Sequence, residues 1–267
     1  MTRPELDLVM DWAAAEGWNP GLRDAECLYI CDPRGFFLGV LDGEPVAAIA
    51  AVAYDDSFGF LSFYLVKPEL RGRGYGLALW RAALDYLGER NLGLDAVPAQ
   101  IANYEKSGFR VAYRNFYCRA RGGGPAPPGL APLSGVDFEE LAAYDGAFFP
   151  SPRPHFLRGW IHQPQGAALG LVSQGRLAGY GVIRPCRRGF KIGPLGADSP
   201  EIAGDLLQGL LARAPGAPVY LNIPEANPGG LALARERGLS HFATTARMYT
   251  RGAPPAPLQR LYAHDLF

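Results

Sequence analysis

The chain has 267 residues, 48% of them hydrophobic, and its 26 Lys and Arg are balanced by 26 Asp and Glu. That length exceeds a typical single domain, and the apolar content is enough for packed cores. A formal net charge of zero argues against a dedicated nucleic-acid binder, which would carry a basic surplus.

Residues 1–7 lack the apolar stretch of a signal peptide, and the longest apolar run, 46–54, is far too short to span a bilayer. A cytoplasmic protein with no membrane partner is the expectation. Residues 4–16 form an amphipathic helix with Leu6, Val9, Met10 and Ala13 on one face. Residues 23–31 are a second helix, followed by the turn Asp32-Pro33-Arg34-Gly35. Strands at 36–41 and 46–54 flank a hairpin turn at Asp42-Gly43-Glu44. Then come an aromatic-rich strand at 59–66, a helix over 75–90, a strand at 92–97, a helix over 99–107 and a strand at 109–119. Gly108 sits where a helix C′ glycine belongs.

Residues 122–129, Gly-Gly-Gly-Pro-Ala-Pro-Pro-Gly, have linker composition and divide the chain into domains 1–121 and 130–267. The second half repeats the plan. It has a strand at 130–133, helices at 136–148 and 153–162, and strands at 168–173, 177–184 and 190–195. A helix at 200–214, a strand at 219–223, a helix at 228–237 and a closing strand at 241–250 complete it. Residues 258–267 read as a tail strand packing across the two domains. Leu233-Ala234-Arg235-Glu236-Arg237-Gly238-Leu239 aligns with Asn103-Tyr104-Glu105-Lys106-Ser107-Gly108-Phe109, which points to an internal duplication. The fold class is α+β, each half a mixed, mostly antiparallel sheet flanked by helices.

The chemistry concentrates after the strand at 59–66, in Val66-Lys67-Pro68-Glu69-Leu70-Arg71-Gly72-Arg73-Gly74-Tyr75-Gly76. A strand, a glycine-rich turn and a helix start form an anion site, because backbone N–H groups converge there and the helix dipole reinforces them. The chain has no Gly-Lys dipeptide for a Walker A loop. A dinucleotide fingerprint fails too, since its third glycine would fall on Leu77 or Leu79.

Arg71-x-x-Gly74-x-Gly76 with the upstream Val-x-Pro resembles the acetyl-CoA pyrophosphate loop of the GNAT N-acetyltransferase superfamily. Tyr104-Glu105-Lys106-Ser107-Gly108-Phe109 resembles that family's second motif. The resemblance implies tandem GNAT-like domains and acetyl-CoA as cofactor, held by Leu65, Val66, Arg71, Gly72, Arg73, Gly74, Tyr75, Gly76 and Asn103. It implies Tyr104 as the acid toward the departing thiolate, and an amine acceptor, either a small molecule or a peptide. The family often has Asn seven residues before that tyrosine; here the position is Val97, so this contact is not carried over. The family also begins with a short strand before the first helix. Here the helix starts almost at Met1, so that strand is either lost or encoded upstream.

The second half lacks the glycine loop. Gly196-Ala197-Asp198-Ser199-Pro200-Glu201 offers capping and acidic side chains instead, which satisfy the N–H groups a pyrophosphate would use and repel it. The tyrosine position there is Ala234, with Asn227 seven residues before it. The active site is therefore expected in the first half, with the second shaping the acceptor pocket, forming a homodimer face or binding its own ligand. For the general base, Asp55, Asp56, Glu26 and a water chain all remain open. An acetyl-CoA sensor without turnover is the alternative function. Cys27, Cys31, Cys118, Cys186 and the four histidines show no metal spacing, so no metal is expected.

Overall fold

The computed structural model describes residues 1–264. The first half contains α1 (Arg3–Ala15), α2 (Asp24–Cys31), β1 (Phe36–Leu41), β2 (Glu44–Ala53), β3 (Phe58–Val66), α3 (Tyr75–Leu87), β4 (Asn91–Ala96), α4 (Ile101–Glu105) and β5 (Arg110–Arg121). The second contains β6 (Leu130–Pro132), α5 (Phe138–Gly146), α6 (Pro154–Trp160), β7 (Ala167–Ser173), β8 (Arg176–Pro185), β9 (Phe190–Ala197), α7 (Pro200–Leu211), β10 (Pro218–Pro224), α8 (Pro228–Glu236), β11 (Ser240–Tyr249) and β12 (Leu261–Ala263). The α+β expectation holds, and the two halves repeat one order of elements. β6 has no counterpart before α1 among the described residues.

One 12-stranded sheet crosses both halves in the order β1-β2-β3-β4-β11-β5-β10-β9-β8-β7-β6, with β12 beside β9. The closing strands are exchanged. β11, from the second half, pairs with β4 of the first, and β5, from the first, pairs with β10 of the second. β5 and β11 then pair with each other, antiparallel, at the middle of the sheet. Sequence order suggested that each half closes its own sheet; the register shows that each closes the other's.

Side-chain alternation explains the layers. On β2, Ala48, Ala50 and Val52 face a core with α1, α2 and α6, while Ile49 and Ala51 face Trp80, Ala83 and Leu87 of α3. Helices cover both faces, so seven consecutive β2 residues are buried instead of every second one. The first of these cores also takes in Phe156, Trp160, Tyr180 and Val182, so it is built from both halves. A second core, under α7 and α8, belongs mostly to the second half.

Several boundaries differ from expectation. α3 ends at Leu87, where Gly88 at φ +57° breaks the helix. α4 is short because Pro98–Gln100 is a 3-10 turn and Gly108, at φ +87°, closes the other end. There Phe109 N–H donates back to the Tyr104 carbonyl, 3.3 Å, in the pattern of a glycine-terminated helix. The tail strand runs only over Leu261–Ala263 and pairs with β9 of its own half, not across the halves. His264 reaches over, stacking on Tyr113 with ring centroids 6.0 Å apart. Residues 265–267 of the expected tail lie outside the described residues. No described helix is long and apolar enough to cross a membrane.

Candidate active site

Strand β3 is irregular where a ligand would need it to be. Its register against β2 slips, so that Ala48 and Ala50 oppose Leu65 and Ser62, and the extra residue bulges. Phe63, within the bulge, has φ +48°. On the opposite edge β3 pairs in parallel with β4 only as far as Leu61 opposite Leu94. From Ser62 to Val66, among the described residues, no strand pairs with that edge. Backbone N–H and C=O groups there face a wedge that an amide-bearing chain can enter.

The wedge opens at the glycine loop. Gly72 and Gly74 have φ of +77° and +88°, a region that only glycine enters freely. Gly74 is the N-cap of α3, with no side-chain cap bond and no acidic residue in the first turn. The leading N–H groups of a 13-residue helix are thus left without a side-chain acceptor. A Cβ on Gly76 would lie 2.8 Å from Tyr64 Oη, so glycine lets α3 start flush against β3. Arg71 lies across the surface of the loop: its Nε donates to the Val66 carbonyl, 3.0 Å, and its guanidinium pairs with Glu16, the C-cap of α1. It fastens the loop. Arg73 is exposed and forms no ion pair among the described residues. Tyr75 is half-buried in the first turn of α3.

Behind the wedge lies a cavity of about 340 Å³. Its walls are largely aromatic, including Trp18, Phe63, Tyr64, Trp80, Tyr104 and Phe242. Tyr104 packs against Trp80 with the rings tilted by 43° and centroids 5.3 Å apart, and burial with the nearby Tyr64 pushes its hydroxyl up to about 12. Of the residues expected in the site, Tyr104 lines this cavity, whereas the loop meets it through Tyr64, against which Gly76 packs. Asn103 is exposed and bonded to Gln100 and Lys106 on the outside of α4. Val97 lines the cavity.

The carboxylates considered as bases are engaged elsewhere. Asp55 accepts from the N–H groups of Ser57 and Phe58 at the β2–β3 turn, 2.7 and 2.8 Å. Asp56 is exposed near Arg90, and Glu26 pairs with Arg23 at 2.5 Å. The cavity does have a carboxylate, Asp95, but Arg247 holds it through two bonds of 2.7 and 2.9 Å.

Shaping the acceptor pocket was one of the roles expected of the second half, but sequence order did not show which of its residues would supply the wall. Phe242 and Thr245 reach the cavity because β11 sits beside β4, and Lys191 and Tyr220 because β5 carries β10, with β9 next to it, to the same place. The loop after α1 closes over it, tied to the β8–β9 hairpin by Leu22 N–H to the Pro185 carbonyl and Arg187 N–H to the Pro20 carbonyl.

The second half shows what a closed version of the site looks like. β9 and β10 pair only as far as Ile192 opposite Leu221, leaving the same wedge. There β12 fills it, pairing with Leu195 and Gly196, while His264 bridges to Asn222 of β10. Ser199 caps α7 by accepting from Ile202 N–H, 3.4 Å, with Glu201 in the first turn. Asn227 caps α8 and donates to the Leu261 carbonyl, 2.9 Å, so it secures the tail. Among the described residues no group of three or more His, Cys, Asp or Glu side chains is placed to hold a metal ion.

Two family profiles match the chain: "Acetyltransferase (GNAT) family" over residues 6–109 and "Acetyltransferase (GNAT) domain" over residues 141–263. The holothin acyltransferase of Pseudoalteromonas sp. (strain SANK 73390) is 32% identical over 258 residues, spanning 94% of this chain and 86% of that protein. The chain belongs to the GNAT acetyltransferase family. Solved structures show the same fold. An acetyltransferase candidate from Pyrococcus horikoshii superposes with a TM-score of 0.83 at 22% identity, covering 99% of this chain and 92% of that one. A tandem GNAT protein from the clavulanic acid biosynthesis pathway superposes with a TM-score of 0.65 at 16% identity, over 93% and 96% of the two chains. As a GNAT protein with two such units, the chain is an acyltransferase built on a tandem fold.

Proposed function

We propose that the first half carries the working site and transfers an acetyl group from acetyl-CoA to an amine. One observation carries this reading: an uncapped helix N-terminus, an unpaired strand edge and an open-mouthed aromatic cavity lie end to end. That sequence suits a ligand with a pyrophosphate, an amide-bearing arm and a reactive end. Acetyl-CoA supplies an activated thioester carbonyl when bound.

The residues present fit that group. N–H groups from Gly72 to Gly76 hold the anionic end, with Arg73 adding charge. Leu65 and neighbouring residues of β3 offer backbone groups along the free edge. The bulge at Phe63 turns the backbone toward the cavity, where an N–H can stabilise negative charge on a carbonyl oxygen. Tyr104 keeps its proton through the whole working pH range and so remains a hydrogen-bond donor. Much of the rate then comes from holding amine and thioester together in one cavity.

The cavity favours a small-molecule amine over a peptide. Its volume is at the lower end of small-ligand pockets. The relative that acts on holothin, aligned over nearly the whole chain, supports the same choice. Incubation with acetyl-CoA and a panel of small amines, followed by detection of free thiol, tests the proposal. Turnover is expected with at least one aromatic amine. Saturable acetyl-CoA binding without turnover on any amine would favour a sensor.

A further inference from the structure

The charge balance of the cavity is uneven. Its carboxylate, Asp95, is neutralised by Arg247, and Asn115 donates to it as well, 3.0 Å. Just behind, in a small polar annex of about 60 Å³, Arg184 is matched by fully buried Asp24 through bonds of 2.7 and 3.2 Å. Two cations that line the main cavity have no such match. Lys191 of β9 and Arg188 of the β8–β9 loop form no ion pair among the described residues.

Both are nevertheless held in place. Lys191 Nζ donates to the Trp18 carbonyl, 3.0 Å, which uses one of three ammonium donors. The Arg188 main chain is clamped by Asn19, with its N–H donating to Oδ1 at 2.8 Å and its carbonyl accepting from Nδ2 at 3.1 Å. The guanidinium is exposed. An ammonium partly withdrawn from water and not directly paired with a carboxylate is costly. Burial, with Arg184 alongside and only partly offset by Asp24 beyond it, pulls the Lys191 ammonium down to about 8. An anion entering the cavity would relieve that cost.

We infer that Lys191 and Arg188 form an anion subsite that selects acceptor amines carrying a carboxylate or similar acidic group on an aromatic or apolar body. This rests on the acyl-transfer reading for its consequence, but the subsite itself is a binding claim. The second half thus contributes the charge that reads the acceptor, while the first contributes the cofactor loop.

The test compares benzylamine with 4-(aminomethyl)benzoate, which differ by one carboxylate. Binding is followed by the fluorescence of Trp18 and Trp80 in the presence of CoA, which needs no turnover, and transfer is followed by thiol release from acetyl-CoA. The wild-type protein should prefer the acid about tenfold or more in both measurements. Lys191→Met should remove most of that preference and Lys191→Arg should keep it, each variant being checked for an intact thermal transition. Equal affinity of the wild type for both amines overturns the inference. So does equal loss on both amines in Lys191→Met, which would make Lys191 a proton acceptor instead. Preferential binding of the acid with no thiol release on any amine supports the subsite while overturning the acyl-transfer reading.

Discussion

Arg247 of β11 grips Asp95 of β4 across the exchanged strands, Nε to Oδ1 at 2.7 Å and Nη2 to Oδ2 at 2.9 Å. The pair joins the halves at the cavity floor. Its guanidinium also lies over the Phe60 ring, 4.9 Å from the centroid. Removing the carboxylate strands a cation that is only 4% exposed. Asp95→Ala should lower unfolding free energy by about 3–5 kcal/mol, read from urea denaturation. A loss below about 1 kcal/mol would show that water reaches Arg247 freely.

Gly74→Asp should place a carboxylate at the N-terminus of α3, where the first turn has no acidic residue. The new side chain competes for the N–H groups a pyrophosphate would use and repels its charge. Acetyl-CoA should raise the Tm of the wild-type protein and leave that of the variant unmoved. Without ligand, the variant should lose about 1–2 kcal/mol, the cost of holding a residue with a Cβ at φ +88°, and should still show a cooperative thermal transition.

Tyr104→Phe should reduce kcat/KM on the order of 10–100-fold with little change in acetyl-CoA affinity, toward the low end for a general acid. The Tyr104 hydroxyl is raised to about 12, so it stays protonated at every pH below that value. The wild-type profile of kcat/KM should therefore show no alkaline limb from this residue up to about pH 10. A limb in that range that vanishes in the phenylalanine variant would contradict this assignment.

His264 is buried beside Arg247 and Arg153. Burial first, and the two guanidiniums after it, push its imidazole well below the usual 6.5. The unfolded chain takes up a proton near 6.5 that the native state refuses, so stability should fall as pH drops through that value. His264→Gln should flatten this dependence between about pH 7 and 5 in urea denaturation, and parallel slopes for the two proteins would rule it out.

The strand order within each half, the glycine loop and Tyr104 were legible because they depend on local pattern. Periodicity marks a strand, glycines mark a positive φ, and Gly108 marks a helix end. Strand exchange left no such trace. β5 and β11 alternate in the same way whichever β4 or β10 they pair with, so their partners follow from packing across the whole chain. With the exchange hidden, Lys191 and Phe242 were unreadable as cavity residues, and Asp95 could not be seen as spoken for. Trp18 was noticed only as an aromatic near the first helix. Arg71 matched the motif by type, yet its guanidinium lies against Glu16 because α1 passes beside the loop. Asn227 stood at the expected spacing but serves the tail, a use that only the position of β12 reveals.

The exchange of β5 and β11 also bears on how such a chain changes over generations. A duplicated gene usually leaves one copy free to decay once the other suffices. Here the half with the altered loop holds the strand that completes the other half's sheet, and it receives one in return. Deleting either copy would leave the survivor with a raw edge and an open cavity. The second half can lack the glycine loop and drift in its surface, but it stays bound to its neighbour as the wall of the cavity that the two halves share.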